Sequence, residues 1–413
     1  MPIREARLRD DLEANAALGA VEGPGHGRTV LTGTDADRAA RDQFVDRLED
    51  AGLAVRVDAV GNVVGRWTPD GADPNAAPVA AGSHLDSVPE GGIFDGPLGV
   101  YAALEAVRAL REDDADLARP VEVVSLTEEE GQRFGGGLVG SSVASGDTSL
   151  EAALSLDDDG ETLEEALAAI GYHGEGRLDA SEWDAWVELH VEQGTRLEAA
   201  AVPAGVVTSI TGLARCSVTV TGEANHAGTT PMGERADALA AASEFVLDVE
   251  RAAEARTEVS ESAVGTVGHL DVAPNAPNVI SGRVEVTVDV RDVDYDSVEA
   301  IVAAARDSLD RLERERGVET TFERPWERRP VPMDDRVREA FHDAGAARGV
   351  TTTDLHSGAA HDTMHLANVT DAGLLFAPSR DGVSHNPREW TDWSDCAAAT
   401  EVLAGAIADL AAD

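Results

Sequence analysis

The stretch Gly82-Ser-His-Leu-Asp-Ser-Val-Pro-Glu-Gly-Gly-Ile-Phe-Asp-Gly96 constrains the fold of this chain more than any other. The apolar run before it, 78–81, is short and predicts a buried strand ending just ahead of His84. The glycines that follow predict a loop with unusual backbone angles. Residues 98–110, rich in Ala and Leu, predict a helix. Residues 120–126 predict a second strand that runs into Thr127-Glu-Glu-Glu-Gly131. Strand–helix–strand of this kind indicates a mainly parallel sheet, an α/β class in which ligands gather at the carboxyl ends of strands.

The rest of the chain extends this pattern and then interrupts it. Helices are predicted over 3–20 and 36–51, and strands on either side of Gly61. Residues 149–171 read as helical with a break at Asp157-Asp-Asp-Gly160, and 185–194 as a strand ending in His190, Glu192 and Gln193. From about 206 the texture changes. A β-α-β-β-α-β order predicts a small antiparallel sheet with two helices on one face, the ferredoxin-like arrangement. Residues 324–332, with three prolines, are expected to form the return linker. Helix 334–348, strand 370–376 and helix 392–411 then complete the first domain. The expected boundaries are 1–209 for the first part of the larger domain, 210–324 for the insertion and 325–413 for the second part.

Charge narrows the function classes. The chain has 78 acidic and 33 basic residues, a net charge of -45, and no lysine. Such a surface repels nucleic acid and anionic membranes. The acids are spread along the chain, which favours a solvated shell suited to a high-salt cytoplasm over an acidic tail. No apolar run reaches the roughly 20 residues of a membrane span. The first residues lack the apolar core of a signal peptide, so a cytoplasmic location is expected. Cys216 and Cys396 have no Cys-x-x-Cys spacing and read as two buried thiols.

The candidate chemistry lies at the inferred strand ends. His84, Asp95, Glu130, His190 and His385 all fall there or in the loops that follow. Together they offer three imidazoles and two carboxylates, enough for two divalent ions if one carboxylate bridges. Three adjacent glutamates repel one another when dry, and a cation relieves that repulsion. Taken singly, each His also fits a packing role and Glu128–Glu130 also fit a solvated turn.

Seven blocks occur in order: GSHLDSVPEGGIFDGPLGV, EEEGQRF, ELHVEQG, ANHAGTTPM, PNAPNVISG with VDVR, SGAAHD and PSRDGVSHNPREW. On these the chain resembles, nearly end to end, the M20-type metallo-amidohydrolases. The resemblance is to the hydantoinase/carbamoylase branch of N-carbamoyl-L-amino acid hydrolases, β-ureidopropionases and allantoate amidohydrolases. It implies a two-domain α/β fold: a metal-binding catalytic domain with a mixed, mainly parallel sheet, and an inserted lid/dimerisation domain.

The resemblance also implies a site. His84, Asp95 and His190 would hold one ion, and Asp95, Glu130 and His385 a second, with Asp95 bridging. Zn is the expected metal, with Mn, Co or Ni as alternatives. Asp86 would orient His84, and Glu129 would be the general base. His226 would bind substrate and stabilise the oxyanion in the active site of a partner subunit, which implies a homodimer. Gln193, Asn278 and Arg291 would meet the substrate, Arg291 through its carboxylate, and Gly358 and Ala360 would contribute loop contacts. Ala360 stands where relatives often carry Gly. The implied reaction cleaves the ureido C–N bond of a small N-carbamoyl acid to amino acid, CO2 and ammonia. An M20 aminoacylase or dipeptidase and a non-catalytic metabolite-binding relative are the competing readings.

Overall fold

The computed structural model describes residues 3–412 and divides the chain into two compact units. One holds the residues up to Thr208, Pro332–Leu355 and those from Ala360 on; the other holds Ser209–Val331 and His356–Ala359.

The first unit is built on a nine-stranded sheet. Its centre is parallel, with Val121–Leu126, Val79–His84, Ala185–Val191 and Asp371–Ala377 side by side in that order. These strands are buried almost throughout, so their sequences are continuous apolar runs and not alternating ones. His84 pairs with Leu126 and His190 with Phe376, so neighbouring strands finish nearly level. Antiparallel strands flank this centre, Val63–Trp67 on one side and Ala204–Ile210 on the other. Helices Pro97–Glu112, Asp335–Arg348 and Trp393–Leu410 contribute to the main core of this unit. Glu105 is buried in the first of them, where Arg7 grips it at 2.6 and 2.9 Å, and this ties down the N-terminal helix Glu5–Ala16.

The second unit is a four-stranded antiparallel sheet in the order Val264–Ala273, Arg283–Asp292, Gly212–Thr221, Glu319–Arg328. Arg283–Asp292 alternates buried and exposed residues, as a strand with one covered face must. Helices Ala238–Arg256 and Tyr295–Arg316 pack on that face over Cys216, Val218, Val286 and Val288.

Three expectations change. The helix expected over 3–20 ends at Ala16. Residues 149–171 form two short helices, Leu150–Leu154 and Leu163–Ile170, around a small hairpin; the second starts with a reciprocal Thr162–Glu165 capping box. Much of the expected linker is strand, because Glu319–Arg328 continues through Pro325. It can do so because it lies at the sheet edge and its register shifts between Glu323 and Trp326. Among the described residues no helix is long and apolar enough to cross a membrane.

Candidate metal centre

The four central strands deliver the site. His84 is the last residue of its strand, His190 precedes the last residue of its own, and Glu128–Glu130 and His385 follow the other two. Asp95 comes from the loop before helix Pro97–Glu112. Gly96 links that loop to the helix at φ 81, and a Cβ there would lie 2.5 Å from the His84 ring. Glycine is therefore required on both conformational and steric grounds.

The two buried imidazoles are fixed in one tautomer. His84 Nδ1 lies 3.1 Å from the Asp86 carbonyl, and His190 Nδ1 lies 3.0 Å from the Val191 carbonyl. Each Nδ1 must donate, which leaves each Nε2 facing the site as the atom that would ligate an ion in the unprotonated ring. His84 Nε2 is buried with no hydrogen-bond partner. His190 Nε2 stands 3.1 Å from Asp95 Oδ1, and His84 Nε2 stands 3.7 Å from the same oxygen. On the other side, His385 Nε2 lies 3.5 Å from Asp95 Oδ2 and 3.4 Å from Glu130 Oε2. Two three-residue groups, His84/Asp95/His190 and Asp95/Glu130/His385, thus share Asp95. An orphaned buried nitrogen, an orphaned Glu130 Oε1 and a mixed imidazole–carboxylate donor set fit a pair of divalent ions.

Electrostatics agree with this fit. Burial, Asp95 and Asp86 push the Glu130 carboxyl up to about 9. Burial and the neighbouring Glu130 raise Glu129 well above its usual range. Burial opposes the charge on His190, yet Asp95 outweighs it and raises the imidazole to about 9. Asp95 is held well below the carboxylate range by His190, His84 and His385 in spite of its burial. The pocket holds more negative charge than it can neutralise, and a cation corrects that.

The three adjacent glutamates separate into distinct roles. Glu128 sits at φ 56, and its Oε1 accepts the N–H groups of Arg133 and Phe134 at 2.7 and 2.9 Å. It braces the loop. Glu129 Oε2 reaches to 3.7 Å from His84 Nε2, and Glu130 faces His385. Asp86 differs from its expected role. Its carboxylate is 3.7 Å from His84 Nδ1, which bonds the Asp86 main chain instead. The carboxylate accepts the N–H groups of Glu129 at 3.3 Å and Glu130 at 3.0 Å.

A third group, Glu188/His190/His361, also clusters. Both Glu188 oxygens are already occupied, by Ser83 Oγ at 2.7 Å and Thr363 Oγ1 at 2.6 Å, so this group is a buried support behind His190.

The profile of peptidase family M20/M25/M40 matches residues 80–409. The chain belongs to this family. The M20 family is divalent-metal dependent, in keeping with the donor set above. The N-carbamoyl-L-amino acid amidohydrolase of Geobacillus stearothermophilus is 41% identical over 392 residues, which cover 94% of each chain. The allantoate amidohydrolase of Bacillus subtilis is 36% identical over 344 residues, 82% of each. Among solved structures, a hydantoinase/carbamoylase-family amidase from Burkholderia multivorans matches with a TM-score of 0.94 at 39% identity, covering 100% of this chain and 99% of that one. The M20 α/β architecture is thus shared over the whole length.

The remaining expected site residues of this M20 chain fall into two sets. In the first unit Gln193, at φ 57, donates to Asp95 Oδ2 at 2.8 Å, so it orients the shared carboxylate. Ala360 is exposed after the Ser357–Ala359 turn. In the second unit His226 is exposed, and its Nδ1 accepts the N–H groups of Gly228 and Thr229 at 3.0 and 3.2 Å. That leaves the proton on Nε2, pointing a donor outward. The Ala227 N–H bonds the Asn278 carbonyl at 3.0 Å. Arg291 is held by Asp289 through Nε at 2.8 Å and by the Gly358 carbonyl through Nη1 at 2.8 Å.

Sequence reasoning missed several supports. His361 lies edge-on to the His190 ring at 4.6 Å between centroids. Arg28 is fully buried and donates to Asn15 and to the Leu85 carbonyl. Glu389 is buried beside Asp95. His361 and Glu389 stand inside the SGAAHD and SHNPREW blocks, which were the available signal; Arg28 had none.

Proposed function

We propose that this protein is a metal-dependent hydrolase of the ureido C–N bond in small N-carbamoyl acids, with N-carbamoyl-L-amino acids as the leading substrates. One observation carries the reading: two imidazoles locked through Nδ1 with their Nε2 atoms converging on Asp95, with Glu129 beside them. His84, Asp95 and His190 would hold one ion, and Asp95, Glu130 and His385 the other. Bound there, the ions supply an acidified water and a polarised carbonyl. Glu129 takes the proton from that water and returns it to the leaving nitrogen, the work of a general base and then a general acid. The His226 Nε2–H is the donor for the oxyanion. Arg291 pairs with the substrate carboxylate, and Asn278, Gly358 and Ala360 add contacts around it.

Zn is the proposed native metal, with Mn as the alternative. A homodimer is proposed, with His226 serving the partner's site. Supporting this, Leu239, Leu247, Val264 and Leu270 are exposed, and Val264–Ala273 is an open edge strand of its sheet. The net charge of -45 supports a cytoplasmic setting of high salt.

The deciding experiment is product release in high salt after loading with Zn or Mn. N-carbamoyl-L-amino acids, N-carbamoyl-β-alanine and allantoate are compared by ammonia release, and N-acetyl amino acids and dipeptides by amine release. Turnover of one ureido class is expected. Turnover of only the acyl or peptide amides would replace this reading with that of an aminoacylase or dipeptidase. Glu129→Gln should keep its metal and lose roughly 10²–10⁴-fold in kcat.

A further inference from the structure

Glu389 is an acid that the mechanism above leaves without a task. It is 1% exposed. Its Oε1 accepts the backbone N–H of Phe94 at 2.9 Å and that of Asp95 at 3.1 Å. Its Oε2 stands 3.1 Å from Ser384 Oγ, and the same hydroxyl lies 2.5 Å from Asp95 Oδ2. Gln193 Nε2 reaches that Asp95 oxygen at 2.8 Å. Asp95 is therefore gripped at its main chain by Glu389 and at Oδ2 by Ser384 and Gln193. Its Oδ1 remains turned towards His190 and His84.

This grip spans the chain. Glu389 and Phe94 are 295 positions apart, and Glu389 shares its loop with His385. One carboxylate thus couples the loop that carries Asp95 to the loop that carries His385. Space has been reserved for it: a Cβ on Gly92 would lie 2.0 Å from Glu389 Oε1. An acid this deep is costly unless its hydrogen bonds return the loss. Here they come from the main chain of Phe94 and Asp95 and from the Ser384 hydroxyl, which also reaches the carboxylate that the two ligand groups share.

We propose that Glu389 is a positioning residue for the metal pair. It sets the rotation of the Asp95 carboxylate, so that Oδ1 faces His84 and His190 while Oδ2 faces His385, the two sides on which ions would be held. The inference rests on the metal-centre reading above.

The test uses metal-stripped full-length protein titrated with Mn²⁺. Bound equivalents are measured by elemental analysis, and exchange coupling between the ions by electron paramagnetic resonance. Wild type should bind two equivalents as a coupled pair. Glu389→Ala should bind the second equivalent about 10–100-fold more weakly and lose the coupling signature. Glu389→Gln keeps an acceptor oxygen for both N–H groups and should recover most of it. Gly92→Ala should reproduce the defect by displacing the carboxylate, and it carries the test if Glu389→Ala does not fold. Coupled pairs of unchanged affinity in the folded Ala variants overturn the proposal, as does a Gln variant as impaired as Glu389→Ala. Wild type that binds no Mn²⁺ overturns the metal centre itself, whereas wild type and variants that bind alike overturn only the role of Glu389.

Discussion

The Asp86 carboxylate accepts the backbone N–H of Glu130 at 3.0 Å, while the Asp86 carbonyl takes the His84 imidazole at 3.1 Å. One residue thus orients the proposed ligand His84 through its main chain and the glutamate loop through its side chain. Glu129 is held in the same way at 3.3 Å, so the proposed base and the proposed ligand beside it share one anchor.

Asp86→Asn should therefore act on both. An amide presents a single acceptor oxygen, so one of the two N–H groups loses its partner. Metal affinity is expected to fall about 10–100-fold, and kcat with it. Titration of the stripped protein followed by steady-state assay at saturating metal separates the two effects. Unchanged values in both would show that the anchor is dispensable.

Arg291 is held by Asp289 and Gly358 before any substrate arrives. Arg291→Lys removes the planar fork but keeps the charge. Loss of one charge-assisted hydrogen bond, about 1.5–3 kcal/mol, should raise KM about 10–100-fold for carboxylate substrates. Metal content should not change. A substrate whose carboxylate is replaced by an amide should show no such difference between the two proteins.

Asp58 is buried and accepts from Val60 N, Asn62 N, Asn62 Nδ2 and Leu178 N. Asn62 in turn receives the N–H of Thr127, the residue that leads into the glutamates. Asp58→Ala strands several buried donors at once and is expected to cost about 3 kcal/mol. Chemical denaturation of the metal-free protein measures this, and a cost below about 1 kcal/mol would contradict it.

Net charge dictates a salt response. With 78 acids against 33 arginines, self-repulsion should destabilise the fold at low ionic strength. The melting temperature should rise steadily between about 0.2 M and about 3 M KCl, where the screening length falls to a few ångströms. A flat or falling profile would argue against an acidic shell adapted to salt.

The candidate ligand positions stand out in the sequence because a residue poised to ligate at a strand end has a local signature: an apolar run, then His or Asp, then glycine. His84 and His190 carry it plainly. Glu188, Glu389 and Arg28 do not. In a chain so rich in acid a single glutamate gives no sign of being buried, and the partners that justify it, such as Ser83 and Thr363 for Glu188, lie far off in sequence. The bracing role of Glu128 was also hidden, since it depends on the left-handed backbone at that residue, whereas the separate readings of Glu129 and Glu130 came from the family resemblance. The strand through Pro325 was misread because proline marks a breaker locally, and only the sheet order reveals an edge. The α/β class and the insertion were readable from strand–helix alternation and from the change to period-two patterning near Cys216.

The central strands are neighbours in space but far apart in synthesis. His84, Glu130 and His190 leave the ribosome well before the segment that carries His385 and Glu389, and strand Asp371–Ala377 has to dock beside Ala185–Val191 to bring that segment in. A nascent chain can therefore assemble at most one of the two ligand groups. The Asp95/Glu130/His385 group is complete only once the segment that carries His385 has been made, so it assembles after the His84/Asp95/His190 group.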